Sequence, residues 1–141
     1  MSMSDRFMSY YMDVAERTAQ MSHAVRLKVG AVLVINNGIV STGFNGTPSG
    51  EDNCCEHTID ENLVTKPNVI HAEDNALRRA HERNIDVYNT LSYMFVTHAP
   101  CLFCASKIIN TDIKHVIYRN DFRNMSGIDY LKECDVKVIK F

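Results

Sequence analysis

The sequence contains no tryptophan, and its 141 residues include only three prolines and six glycines. That scarcity excludes collagen-like and Gly/Pro-rich low-complexity chains. No apolar run approaches the roughly 20 residues that span a bilayer, and the opening MSMSDRF has no signal-peptide pattern. No membrane contact and a cytoplasmic location are therefore expected. Neither sign of charge is in excess, since fifteen basic residues against seventeen acidic ones give a formal charge of −2. A protein that grips a polynucleotide usually carries a basic stripe, and no Lys/Arg-rich run stands out, so a small-molecule substrate is expected rather than nucleic acid. The five cysteines, Cys54, Cys55, Cys101, Cys104 and Cys134, form an odd set, which favours metal binding or burial over a disulfide framework. What is present, 45% hydrophobic and 23% charged residues, suits a soluble globular chain with one domain over residues 1–141.

Apolar residues Phe7, Tyr11, Val14 and Met21 recur at helical spacing from Ser4 to about Ser22, with Met8, Tyr10 and Ala15 beside them. They mark the buried face of a first helix. Val29–Ile35 and Ile39–Thr42 flank Asn36-Asn37-Gly38, a strong hairpin signal, and read as two antiparallel strands. Repeated Gly and Pro exclude regular structure from Gly43 to Gly50, and the polar stretch from Asn45 to about Pro67 reads as a long loop forming a lid or site wall. A second helix is expected from about His71 to Glu82, with Ala76, Leu77 and Ala80 inward, followed by a buried strand Leu91–Thr97. A third helix from Cys101 to about Asn110, a strand Lys114–Tyr118, a weaker helix near Gly127–Glu133 and a last strand Val136–Lys140 complete the chain. Strand–helix–strand units of this length imply parallel crossovers, hence an α/β fold with a mixed sheet and helices on both faces.

The chemistry lies in His71-Ala72-Glu73 and Pro100-Cys101-Leu102-Phe103-Cys104. One histidine and two thiolates can hold zinc with a fourth position open, and a carboxylate that is not a ligand can move the protons of a water there. Residues two apart lie on roughly opposite sides of a helix. His71 and Glu73 therefore converge only if the helix begins there, with His71 at or before the cap. Cys101 and Cys104 share a helical face, and Pro100 suits a first helical position. Both ligand sets then sit at helix starts, whose positive ends favour thiolate and carboxylate. Glu73 is expected to take a proton from the attacking water, give one to the ring nitrogen beside the attacked carbon, and later protonate the departing ammonia. The pairing of H-x-E with P-C-x-x-C is the signature of zinc deaminases acting on cytosine or adenine.

With Arg26-Leu-Lys-Val-Gly-Ala31, Gly43-Phe-Asn-Gly46, Thr47-Pro48-Ser49-Gly50 and His71-Ala-Glu-Asp-Asn75-Ala also in view, the chain resembles the deoxycytidylate (dCMP) deaminases of the cytidine deaminase superfamily. Phe44 stands where that family commonly has Tyr, and Asp74 where it often has Glu or Met. The resemblance implies a cytidine-deaminase-like three-layer α/β/α fold whose five-stranded mixed sheet has an initial antiparallel hairpin and later parallel strands. It implies zinc-dependent hydrolysis of dCMP to dUMP and ammonia, feeding dTMP synthesis. It also implies activation by dCTP and inhibition by dTTP, with Mg²⁺ on the triphosphate, in a homo-oligomer, with a hexamer favoured. Metal ligation carries over to His71, Cys101 and Cys104, proton transfer to Glu73, substrate contact to Asn45 and Ala72, and effector contact to Gly43, Asn45 and Gly46. Arg26 and Arg119 are candidate phosphate cations, and Tyr118 a candidate base neighbour. Cys54, Cys55 and His57, completed by His23 or His98, are candidate ligands of a second zinc. The alternatives are deamination of dCTP, cytidine, guanine or adenosine in tRNA, a non-catalytic zinc module that binds nucleotide, and a redox protein using Cys101 and Cys104.

Overall fold

The computed structural model describes residues 3–87 and 91–141. Helix α1 (Asp5–Ala19) starts at Ser4, whose hydroxyl accepts a hydrogen bond from the Phe7 N–H. Its inward face is Met8, Tyr11, Met12, Ala15 and Ala19, all buried. The expected stripe is thus corrected by one position: Phe7 and Tyr10 are exposed, and Met21 lies exposed beyond the helix end. Both stripes keep the 3.6-residue period and differ only in phase, so burial and not periodicity selects the one through Met8, Met12, Ala15 and Ala19.

Strands β1 (Gly30–Ile35) and β2 (Gly38–Phe44) form the expected hairpin, but β2 runs on through Gly43 and Phe44, where regular structure was not expected, because both pair in register with Ala31 and Gly30 of β1. Asn36 and Asn37 turn it at φ 50° and 64°, the left-handed region that a tight hairpin turn requires. The Tyr11 hydroxyl donates to the Asn37 carbonyl at 2.7 Å, which ties α1 to the turn. A second hairpin, β3 (Glu56–Ile59) and β4 (Asn62–Thr65), occupies the stretch expected to be a loop. Helix α2 (Ala72–Glu82) follows, and the rest of the chain alternates as β5 (Ser92–His98), α3 (Leu102–Ile109), β6 (His115–Asn120), α4 (Ser126–Glu133) and β7 (Lys137–Lys140).

The main sheet has the order β2-β1-β5-β6-β7, antiparallel across β2-β1-β5 and parallel across β5-β6-β7, which is the expected mixed sheet. Alternate β1 residues serve two cores. Val32 and Val34 pack with Met8, Tyr11, Met12 and Phe95 on the α1 side. Ala31, Leu33 and Ile35 pack with Ala76, Ala80, Ile108 and Leu131 of α2, α3 and α4 on the other. All six β1 residues are buried, as a strand covered on both faces must be. The pairings give β2, β5 and β6 a common direction, so their C-terminal ends and the start of β1 share one edge. Among the described residues no helix is long and apolar enough to cross a membrane.

Candidate active site

Helices α2 and α3 both begin at that edge. His71 is the N-cap of α2, with extended backbone at φ −71° and ψ 156° and no side-chain cap bond, so its ring is free to bind elsewhere. Several contacts fix this start. Gly46 and Ile70 exchange backbone hydrogen bonds at 3.1 and 2.8 Å, and the Asn75 amide donates to the Phe44 carbonyl at 2.8 Å. A Cβ on Gly43 would collide with the Ala72 carbonyl and the Ala76 nitrogen, so the missing side chain lets α2 lie directly on β2. Cys101 is the N-cap of α3 at φ −73° and ψ 170°. Pro100 therefore precedes the cap instead of holding the expected first helical position, and its missing N–H lies outside the helix altogether.

The two helix starts bring the sulfurs of Cys101 and Cys104 to 3.5 and 3.3 Å from His71 Nδ1. A tetrahedral zinc with nitrogen at about 2.0–2.1 Å and sulfur at about 2.3 Å holds such atoms about 3.5 Å apart, so the donor set and its spacing fit that ion. Among the described residues this is the only trio of His, Cys or acidic side chains placed to hold a metal. The Cys101 sulfur, held by hydrogen bonds from the Cys104 thiol and then from His71, is brought down to about 4. Cys104 is pushed upward as the donor to that thiolate and by burial. Glu73 is buried, and desolvation raises its carboxyl to about 7, although its own backbone N–H and His71 pull the other way. Asp74, also buried, accepts from Arg78 Nε at 3.1 Å and lies 3.4 Å from Lys107 Nζ, joining α2 to α3.

A cavity of about 360 Å³ opens on this centre, with His71, Ala72, Glu73 and Cys101 among its lining residues. Val29, Val69, Ala99 and Phe122 give it apolar walls, and Arg26 and Arg123 add two cations. Asn45 lines it too, but its amide accepts from the Val29 N–H at 2.9 Å and donates to the Leu27 carbonyl at 2.8 Å, shaping one wall. Of the remaining candidates, Arg26 is at the cavity, whereas Tyr118 and Arg119 are not among its lining residues. Strand alternation explains this. Tyr118 points into the core beneath α2–α4, and Arg119 points to the α1 side, 3.5 Å from Glu16 and 4.0 Å from Asp13. Gly43 and Gly46 hold β2 and its loop against the start of α2. Cys54, Cys55 and His57 do not gather as a second metal trio: the sulfurs of Cys54 and Cys55 face the carbonyls of Glu56 and Asn53, and His57 is exposed on β3. His98 lines the same cavity, its pKa lowered by burial and its Nδ1 2.9 Å from Thr97 Oγ1.

Sequence reasoning missed Arg123, Phe122, Glu56 and Thr65 at the cavity. The first two follow the end of β6 at the shared edge, a position where open α/β sheets bind ligands, and that rule points to them. Nothing in the sequence pattern distinguishes Glu56 and Thr65 from other residues of a polar loop.

A mixed α/β sheet that brings one histidine, two cysteines and a buried carboxylate to two adjacent helix starts defines an α/β domain with a candidate zinc centre. Residues 5–120 match the family described as the cytidine and deoxycytidylate deaminase zinc-binding region, and the chain belongs to that family. The deoxycytidylate deaminase of Schizosaccharomyces pombe is 32% identical over 127 residues, covering 81% of this chain and 37% of that protein. That of Saccharomyces cerevisiae is 33% identical over 141 residues, covering 94% of this chain and 44% of that protein. The chain thus spans less than half the length of these two relatives. The crystal structure of the dCMP deaminase from cyanophage S-TIM5, in complex with dCMP and dUMP, matches with a TM-score of 0.91 and 39% identity, covering 99% of this chain and 100% of that one.

Proposed function

We propose that the chain hydrolyses dCMP to dUMP and ammonia. The observation that carries this reading is the single cavity lined at once by His71, Glu73 and Cys101 and by Arg26 and Arg123. The reactive centre and two guanidiniums therefore face one ligand-sized space, suited to a base at one end and a phosphate at the other. His71, Cys101 and Cys104 would hold zinc, which when bound supplies a strong nucleophile from water at neutral pH. Glu73 takes a proton from the attacking water, passes one to the ring nitrogen beside the attacked carbon, and protonates the amino group as it leaves. Water, amine and ring then balance as ammonia and a carbonyl. Val29, Val69 and Phe122 exclude solvent from the base, and the Ala72 backbone forms the wall beside Glu73. Asn45 Nδ2 keeps a second N–H for the nucleotide.

The same reading extends to dUMP feeding dTMP synthesis in the cytoplasm, to activation by dCTP and inhibition by dTTP with Mg²⁺ on the triphosphate, and to a homo-oligomer, with a hexamer favoured. The family resemblance supports the regulation. Exposed Ile59 and Leu63 on the β3–β4 hairpin support assembly. Ammonia release by the zinc-bound protein is to be measured with dCMP, dCTP, deoxycytidine and dAMP, each with and without dTTP and Mg²⁺, and the mass in solution by light scattering. dCMP is expected to react fastest. If none of the four substrates is deaminated, the proposal fails.

A further inference from the structure

The β3–β4 hairpin is nearly all surface. Of its eight residues only Glu56 is buried, at 6% exposure. An isolated two-stranded ribbon has little stability of its own, so a buried acid on one requires a reason. Glu56 Oε2 accepts from the Val25 N–H at 2.9 Å and the Arg26 N–H at 3.0 Å, 31 and 30 residues back in the chain. Thr65, its cross-strand partner in register, accepts from Arg26 Nη1 at 3.0 Å. One cross-strand pair thus holds both the backbone and the guanidinium of Arg26, and all three residues line the cavity.

Resting on the reading that Arg26 and Arg123 bind the 5′-phosphate, we propose that Glu56 is a positioning residue that sets selectivity for the phosphorylated substrate through Arg26. Left to itself, an arginine in a loop loses several rotatable bonds' worth of freedom when it clamps a phosphate. Anchoring its peptide to a buried carboxylate and its fork to Thr65 removes part of that cost before the ligand arrives. The hairpin is, in this role, the device that turns a general pyrimidine site into one that selects a nucleoside monophosphate. A buried anion near a phosphate site would otherwise oppose binding, which is why its two backbone hydrogen bonds, and not its charge, are assigned the function.

The test uses the zinc-bound protein with dCMP and deoxycytidine as paired substrates. Glu56→Ala should lower the ratio of kcat/KM for dCMP to that for deoxycytidine by about tenfold or more, the scale of one lost charge-assisted contact, with the loss in KM for dCMP. Glu56→Gln keeps an oxygen acceptor for both N–H groups and should restore most of the ratio. In the double variant, Glu56→Ala should cost almost nothing once Arg26→Ala is present. If Arg26→Ala raises KM for dCMP while Glu56→Ala leaves the ratio unchanged, or if the two losses simply add, Glu56 has no such role. If the unaltered protein treats dCMP and deoxycytidine alike, or Arg26→Ala changes nothing, the phosphate reading itself fails and takes Glu56 with it. Should Glu56→Ala fold poorly, Thr65→Val, which removes only the grip on the guanidinium, carries the same comparison. An unchanged ratio in that variant together with an unrestored ratio in Glu56→Gln overturns the proposal.

Discussion

At the scale of single residues, the site depends on side chains that give up the role their position usually demands. N-cap residues commonly spend their side chain on the helix's free N–H groups. His71 at the N-cap of α2 makes no such bond, and its ring turns to Cys101 and Cys104. Glu73, two residues on, is buried, with its carboxyl raised to about 7 by desolvation. A group near that value can both accept and donate a proton at neutral pH. Glu73→Gln preserves shape and leaves the three ligands intact, so the variant should bind zinc with unaltered stoichiometry while turnover falls about 10²–10⁴-fold, the usual worth of a positioned acid–base group. Metal analysis beside the ammonia assay separates the two effects. Full turnover in that variant would remove Glu73 from the proposed chemistry, and loss of zinc would make it a ligand.

At the scale of elements, the approach of α2 to β2 decides whether His71 and Glu73 reach the cavity. Gly43→Ala puts a methyl group against the backbone of Ala72 and Ala76, which cannot move aside as a flexible side chain can. Destabilisation by about 1–3 kcal/mol is expected from such overpacking, with weaker zinc binding because α2 shifts. Gly46 has open space around it and no left-handed φ, so Gly46→Ala should keep stability within about 0.5 kcal/mol. Urea unfolding of the pair tests this, and equal losses would refute the packing argument. Elements were legible where one local rule dominated. Asn36-Asn37-Gly38 announces its turn, and the two-residue spacing of His71 and Glu73 announces a helix start. The β3–β4 hairpin was illegible because its turn residues are Asp60 and Glu61, at φ 49° and 66°. Asp is at home in the left-handed region but Glu is not, so Asp60-Glu61 lacks the glycine that marks such a turn, and the strands have no buried face to create an alternating pattern. The inward face of α1 was misplaced because Phe7, Tyr10 and Met21 are apolar yet exposed, which periodicity alone cannot tell from burial. Arg26 and Arg123 reach one cavity through tertiary structure, so no spacing rule relates them.

At the scale of the whole molecule, the sheet places its chemistry at one edge and leaves a titratable group within its parallel half. His115 opens β6 in register with Lys137 of β7, and its ring stacks on Tyr93 at 4.4 Å. Its Nδ1 is buried without a hydrogen-bond partner. Burial, followed by repulsion from Lys137, lowers its pKa below the ordinary 6.5. The unfolded chain therefore takes up the proton more readily than the folded one. The stability contribution is complete above 6.5 and is lost as pH falls through the lower folded value. Burial of His98 acts in the same direction, partly offset by Glu16. The raised carboxyl of Glu73 acts oppositely, favouring the fold at low pH and losing that contribution as pH rises through about 7. His115→Phe keeps the ring stacked on Tyr93 and removes the titration, so the difference between the parent and this variant isolates the imidazole. Urea midpoints measured at about pH 8 and about pH 5.5 should fall further in the parent than in His115→Phe. A variant that loses as much stability on acidification as the parent would show that the folded sheet tolerates a charged His115.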